Sequence, residues 1–487
     1  MPDTTTPLQE RHALYIGGAW ADPASDARID VISATTEEVV ASVPEASEAD
    51  VDRAVAAARA AQDGGWASST PAERAAVLNR FADAVEARAG AITTAVSTQN
   101  GMPITLAEQF ESGYAVGLIR YYAALAGAQE LEERRPSPLG FDSLVRRQPV
   151  GVVAAIVPWN YPVTLAMTKV GPALAAGCSV VVKPSPGTVL DSFLMADAAA
   201  EAGVPAGVLN WVPGGRKLGA YLVSHPGVDK VAFTGSTAAG KAIAVECAKR
   251  LRPVSLELGG KSAAIVLDDA DLPSVVEGLH FASFANNGQT CAACTRILAP
   301  RSRYDETLQA LEAFATGLTV GDPLDRATQV GPVASQEHRA RVEGFIARGT
   351  ERGGRLIAGG GRPDGLDRGW FVEPTVFADV DNGATIAQEE IFGPVLAVIP
   401  YDDDADAIRI ANDSRYGLGG TVWSSDPARA TQVARGVETG TIGVNGYVID
   451  LNAPFGGVKD SGLGREFGPE ALAGYQQLQS IYLPAGD

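Results

Sequence analysis

Cysteine and histidine are scarce, with four of each in 487 residues. So few cysteines in so long a chain make no disulfide framework. A chain of this length buries large cores without disulfides or a structural metal. Basic charge is also in the minority: 39 Lys+Arg stand against 58 Asp+Glu, a formal net charge of −19. That balance argues against nucleic acid and against anionic lipid as partners. Long apolar runs are missing. The stretches 150–158, 179–182 and 262–267 fall short of the roughly 20 residues a bilayer span needs. The first ten residues, MPDTTTPLQE, carry neither a basic n-region nor an apolar h-region, so no secretory signal is expected and the cytoplasm is the expected compartment. Among the basic residues only eight are lysines, which makes their positions informative.

Patterning along the chain divides it. Residues 14–20 read as a short strand entering a turn. Residues 47–61 and 71–89 read as amphipathic helices, with Ser47 and Asp50 as an N-terminal cap. From Val150 the pattern changes. Short apolar runs at 151–157, 178–183, 208–212 and 230–233 alternate with helix-like stretches such as 165–176 and 190–202, which stop at Gly177 and Gly203. Buried strands alternating with helices indicate βαβ units and a doubly wound parallel sheet. A second α/β series has strands at 262–267, 296–298 and 395–400 and helices at 304–316, 336–352 and 404–414. Residues 141–149 and 480–483 read as exposed strands, whose edges invite pairing with another chain.

Several short blocks carry chemistry. In Phe284-Ala-Asn-Asn-Gly-Gln-Thr-Cys291-Ala-Ala-Cys294, Cys291 follows a Gly-Gln turn. It is expected to open a helix, whose dipole and N–H groups favour a thiolate and hence a nucleophile without histidine. A lone cysteine is more often a small apolar core residue. The Cys-x-x-Cys spacing also permits a redox pair, but it lies deep in the chain and not at the start of a small βαβ fold. A zinc site would need more ligands, so no metal is expected. Glu257 stands between two leucines ahead of Gly259-Gly260-Lys261, a place for a raised pKa and general-base work, or for a plain salt bridge. Pro158-Trp159-Asn160-Tyr161-Pro162 ends an apolar strand, where ligands of open parallel sheets bind. The Asn160 amide there suits a developing oxyanion, or simply a turn. Phe233-Thr-Gly235-Ser236 joins a strand to a helix and resembles a pyrophosphate-presenting turn without the full G-x-G-x-x-G spacing. Lys183-Pro184-Ser185, Glu389-Glu390-Ile-Phe392-Gly-Pro394 and Pro454-Phe455-Gly-Gly are further loops that place a charge or an aromatic beside a turn.

Taken in order, these blocks resemble the NAD(P)-dependent aldehyde dehydrogenase superfamily. The match runs from Ile16-Gly-Gly-Ala-Trp20 to Gly462-x-Gly-Arg-Glu466. The resemblance implies a Rossmann-type coenzyme domain at 1–126 and 150–258, an α/β catalytic domain at 259–461 and a β oligomerisation arm at 127–149 and 462–487. It implies Cys291 as nucleophile, Asn160 and the Cys291 N–H as oxyanion donors, Glu257 as the base that activates water on a thioester, and Lys169 as the family's lysine in the helix after the asparagine. For the cofactor it implies Ile156, Pro158, Trp159, Lys183, Ser185, Gly235, Ser236, Glu257, Gly259, Glu390 and Phe392. For the substrate pocket it implies Tyr161, Thr168, Ala285, Thr290 and Phe455. The partners implied are a small aldehyde and other copies of the chain, as a dimer or tetramer.

Three departures sharpen the expectation. Pro186 stands where many NAD-specific relatives carry a ribose-binding glutamate, so NAD⁺ is favoured and NADP⁺ tolerated. Thr168, Ala285 and Val458 replace bulkier residues, which points to medium-chain or aromatic aldehydes, unless Tyr161 and the 447–452 loop refill the space. Glu257 favours hydrolysis over the alternative of acyl transfer to CoA. Intact Cys291, Asn160 and Glu257 speak against a catalytically silent protein on the same fold.

Overall fold

The computed structural model describes residues 10–351 and 354–484; the first nine residues, read above for a signal segment, lie outside it. Two sheets dominate. In the first, Val152–Ile156, Ser179–Lys183, Leu209–Trp211, Lys230–Thr234 and Val254–Glu257 run parallel. Numbered along the chain, their spatial order is 3-2-1-4-5. The order reverses between Val152–Ile156 and Lys230–Thr234, and the loops beyond that point are where ligands of such sheets bind. Gly462–Leu463, expected to begin the arm, instead adds a short antiparallel edge beside Glu257. The core strands are apolar and buried on both faces because helices cover both sides.

The second sheet has seven strands. At its centre Ala263–Val266, Arg296–Pro300 and Val395–Tyr401 are parallel; Arg355–Ala358 closes one edge antiparallel. The chain passes from the carboxyl end of Val254–Glu257 to the amino end of Ala263–Val266 through residues 258–262 alone. Two glycines fit this crossing. A Cβ on Gly260 would lie 2.3 Å from the Cys291 carbonyl oxygen, and one on Gly259 would lie 2.5 Å from Glu390 Oε2.

A third, antiparallel sheet places Asp142–Pro149 between Glu132–Pro136 and Gln476–Tyr482. The strand read at 141–149 is therefore central, and the C-terminal strand is the exposed one, with Leu478 and Tyr482 facing outward. The residues between Ile104 and Gly127 form one long helical run, widened to a π-helical stretch over Glu108–Tyr114. Helix Pro162–Ala176 packs beneath it, opened by Pro162 and closed by Gly177 at φ 89°. Glu111 Oε2 accepts the Val163 N–H at 2.7 Å and so satisfies one orphan donor of that helix. Burial pushes the Glu111 carboxyl up to about 8.

Candidate active site

The carboxyl ends of the first sheet meet the amino ends of the second. Asn160 and Glu257 leave the first sheet; Cys291 and Glu390 lie on loops that lead into the second. Cys291 does not open a helix. It sits in an irregular stretch between the tight turn Ala285–Gly288 and the strand Arg296–Pro300. The expected dipole is absent, and burial, with Glu390 and Glu257 adding to it, pushes the Cys291 thiol up to about 12. A thiol raised that far keeps its proton near neutral pH. Cys294 belongs to a different hydrophobic cluster and is fully buried, whereas Cys291 is partly exposed and packs on the cluster containing Phe455.

A scaffold of amides fixes Asn160. Its Nδ2 donates to the Gln289 carbonyl at 3.0 Å. Its own carbonyl accepts from Asn100 Nδ2 at 3.0 Å and Asn286 Nδ2 at 2.8 Å. Asn286 and Asn287 occupy left-handed backbone, φ 51° and 62°, a region asparagine tolerates. Asn287 in turn ties the turn down by donating to the carbonyls of Gly101 and Pro332, both at 2.8 Å. Among the described residues the second Asn160 N–H has no acceptor, which leaves it free for a substrate oxygen. The Tyr161 hydroxyl and Thr290 Oγ1 are 2.9 Å apart.

Glu257 is 3% exposed, and neither carboxylate oxygen has a hydrogen-bond partner among the described residues. Burial raises its pKa well above the carboxylate range; Glu466 raises it further and Lys169 opposes. Lys169 Nζ, fully buried, donates to Glu466 Oε1 at 2.6 Å and Thr234 Oγ1 at 2.7 Å. In the sequence Glu466 merely ends a glycine-rich block, yet in the fold it is the buried counter-ion of Lys169. It is held by a reciprocal backbone pair with Phe455, 2.7 Å each way.

The residues expected to hold the cofactor stand around the carboxyl ends of the first sheet, near its switch point, and on the Glu390–Phe392 loop. The Gly235 N–H donates to the Glu257 carbonyl at 3.0 Å, and Ser236 caps helix Thr237–Ala248 with its hydroxyl on the Ala239 N–H. Lys183 Nζ donates to the carbonyls of Gly214 (2.7 Å) and Pro184 (3.0 Å). Burial pushes its ammonium down to about 8, with Glu45 opposing. Ile156 is buried at its strand end, Pro158 and Trp159 are partly exposed, and Ser185 Oγ accepts the Gly187 N–H at 3.3 Å. Glu390 Oε1 accepts the Gly260 N–H at 3.1 Å, and burial pushes that carboxyl up to about 7. Trp159 and Phe392 meet edge-on at 5.4 Å.

On the substrate side one expectation needs correction. Thr168 is fully buried; its hydroxyl donates to the Leu165 carbonyl at 2.9 Å and faces Lys169, so it does not open onto the funnel. Around Tyr161 the fold gathers aromatics that no motif marks in the sequence. Phe110 stacks on Phe281 at 5.5 Å and meets Tyr161 at 6.0 Å and Tyr114 at 5.6 Å. Ala285 and Phe455 are buried, and Ile449, Leu451 and Tyr447 from the 447–452 loop pack on the same cluster as Cys291. Among the described residues no group of three or more His, Cys, Asp or Glu stands where it would hold a metal ion, and no helix is long and apolar enough to cross a membrane.

Residues 20–481 match the model of the aldehyde dehydrogenase family. The chain is 60% identical over 471 residues to geranial dehydrogenase of Castellaniella defragrans, covering 96% of this chain and 98% of that one. A crystal structure of a Mycobacterium tuberculosis aldehyde dehydrogenase complexed with NAD⁺ matches with TM-score 0.96 at 49% identity, over 98% and 99% of the two chains. A variant of aldehyde dehydrogenase C from Pseudomonas syringae, complexed with NAD⁺ and octanal, matches with TM-score 0.93 at 39% identity, over 96% of each.

Proposed function

Since this chain belongs to the aldehyde dehydrogenase family and is an enzyme of aldehyde oxidation, we propose that it converts a medium-chain, apolar aldehyde to its acid with NAD⁺, by way of a Cys291 thioester that water cleaves. The observation that carries the hydrolytic reading is Glu257, buried beside Lys169 and Glu466 with both its oxygens unpaired. Cys291 releases its thiol proton to solvent as Sγ adds to the carbonyl carbon, and the oxyanion takes the free Asn160 N–H and the Cys291 N–H. The residues fit a dinucleotide: Gly235 and Ser236 at an open helix start, Lys183 at the neighbouring strand end, and the Glu390 carboxylate for hydroxyls. When bound, NAD⁺ supplies the hydride acceptor. Glu257 then removes a proton from water, and the acid leaves with Cys291 restored. A carboxyl whose pKa is raised toward the working pH is suited to that step.

Two things support the substrate class. Cys291, Tyr161, Ile449 and Leu451 all pack against the one apolar cluster that contains Phe455, and relatives of high similarity act on geranial or hold octanal. We propose dual cofactor use as well, because the position after Ser185 is an exposed proline and offers no carboxylate against a 2′-phosphate. The exposed strand Gln476–Tyr482 supports a homo-oligomer, dimer or tetramer; the cytoplasm is the compartment we propose for it. The deciding experiment follows absorbance at 340 nm with NAD⁺ and NADP⁺ over geranial, octanal, benzaldehyde, phenylacetaldehyde and acetaldehyde. Highest kcat/KM on geranial or octanal is expected; highest kcat/KM on acetaldehyde would overturn the substrate class. A Glu257→Gln variant should give one burst of NADH per site and then stall. Full turnover by that variant with CoA would favour the acyl-transfer alternative.

A further inference from the structure

Helix Gln336–Glu351 takes no part in the chemistry above, yet its first two turns grip the loop that carries Glu390 and Phe392. His338 Nε2 is 2.6 Å from the Phe392 carbonyl oxygen. A carbonyl only accepts, so Nε2 bears the proton and Nδ1 the lone pair. One turn on, Arg341 Nη2 donates to the Glu390 carbonyl at 2.6 Å. Residues three apart share a helix face, so both donors come from one face and take two carbonyls of the same short loop. Val342 supports the loop from below: a Cβ on Gly393 would lie 2.7 Å from its Cγ2. On the opposite side the Cys291 loop presses in, since a Cβ on Gly288 would lie 2.3 Å from the Gly393 carbonyl oxygen.

The grip has something to hold. Phe392 sits at φ 67°, backbone that a bulky aromatic avoids and that persists only where its surroundings over-determine it. The His338 ring also meets Trp159 at 5.2 Å and Phe392 at 6.0 Å. One side chain thus touches both aromatics of the nucleotide side and bonds the strained residue's carbonyl. Burial holds the imidazole down to about 4, so it is neutral at working pH and stays a single-proton donor.

We propose that His338 and Arg341 are positioning residues that latch the Glu390–Phe392 loop through its backbone and thereby set affinity for the nicotinamide half of the cofactor. This rests on the reading of that loop as a cofactor loop. The test measures NAD⁺ affinity by calorimetry and KM against kcat for His338→Ala, His338→Gln, Arg341→Met and, as control of the underlying reading, Phe392→Ala. His338→Ala and Arg341→Met should each raise Kd and KM for NAD⁺ about tenfold, the loss expected from one charged or buried hydrogen bond, with kcat at saturation changed less than threefold. His338→Gln, whose amide nitrogen can stand where Nε2 stood, should recover most of it. Equal melting temperatures for Ala and Gln variants would separate latch from fold. Unchanged affinity in His338→Ala with weakened affinity in Phe392→Ala overturns the latch alone. Unchanged affinity in Phe392→Ala overturns the loop assignment and the latch with it.

Discussion

Lys169→Met breaks a buried ion pair, and its effect on stability and on pH dependence can be worked out together. Lys169 and Glu466 side chains are 0% and 6% exposed and 2.6 Å apart. Removing one partner of such a pair strands the other charge and costs about 3–5 kcal/mol, whereas replacing both with apolar groups is close to neutral. The single variant should therefore lose about two to four powers of ten in folding equilibrium, and Lys169→Met with Glu466→Met should recover most of that loss. Urea unfolding followed by tryptophan fluorescence on the four proteins gives the coupling energy. The catalytic consequence has a sign. Lys169 holds the Glu257 pKa down and Glu466 pushes it up. On the proposed role, Glu257 works as a carboxylate and the acid limb of kcat lies near its pKa. That limb should move to higher pH in Lys169→Met and to lower pH in Glu466→Gln. Additive stabilities within about 0.5 kcal/mol, or limbs that move the same way in both variants, would refute the three-residue arrangement.

Further outcomes follow from single groups. Asn160→Ala removes a fixed oxyanion donor and should lower kcat by about 10²–10³; a loss under threefold would show that the amide does not face the oxyanion. Iodoacetamide labelling of Cys291 in the cofactor-free protein should rise steadily with pH across 7–10.5 without bending over, because burial pushes that thiol to about 12; a curve half-maximal near pH 9, the value of an ordinary thiol, would contradict the desolvated site. Pro186→Glu introduces a carboxylate at an exposed position after the Lys183 strand and should lower kcat/KM with NADP⁺ at least about tenfold while sparing NAD⁺; an unchanged ratio places the 2′-position elsewhere.

What could be read from residues alone was what is local. The parallel strands are short β-branched runs with glycine or proline at their ends, and the expected 178–183 became Ser179–Lys183 because burial on both faces leaves that signature. The same locality explains the misses. The Gly-Gln turn before Cys291 looks like a helix start, but Asn286 and Asn287 spend their side chains on distant carbonyls and the chain runs on irregularly to Arg296. Glu466 lies in a glycine-rich turn, and nothing near it in the chain announces a lysine 297 residues away. Phe110 and Tyr114 stand on a π-helical stretch, where apolar residues fall out of helical register. His338 acts through a backbone carbonyl, and such a partner leaves no trace in composition or motif.

The crossing at residues 258–262 makes the reacting centre a seam between two sheets, with Glu257 ending a strand of one and Cys291 on the loop that enters the other. A slip of about 1 Å between catalytic groups can cost on the order of a hundredfold in rate, far less motion than either core needs to come apart. Activity in this protein is thus a gauge of alignment before it is a gauge of folding. On heating, turnover should fail while both sheets still hold their strands, and cooling should restore it as long as neither has opened.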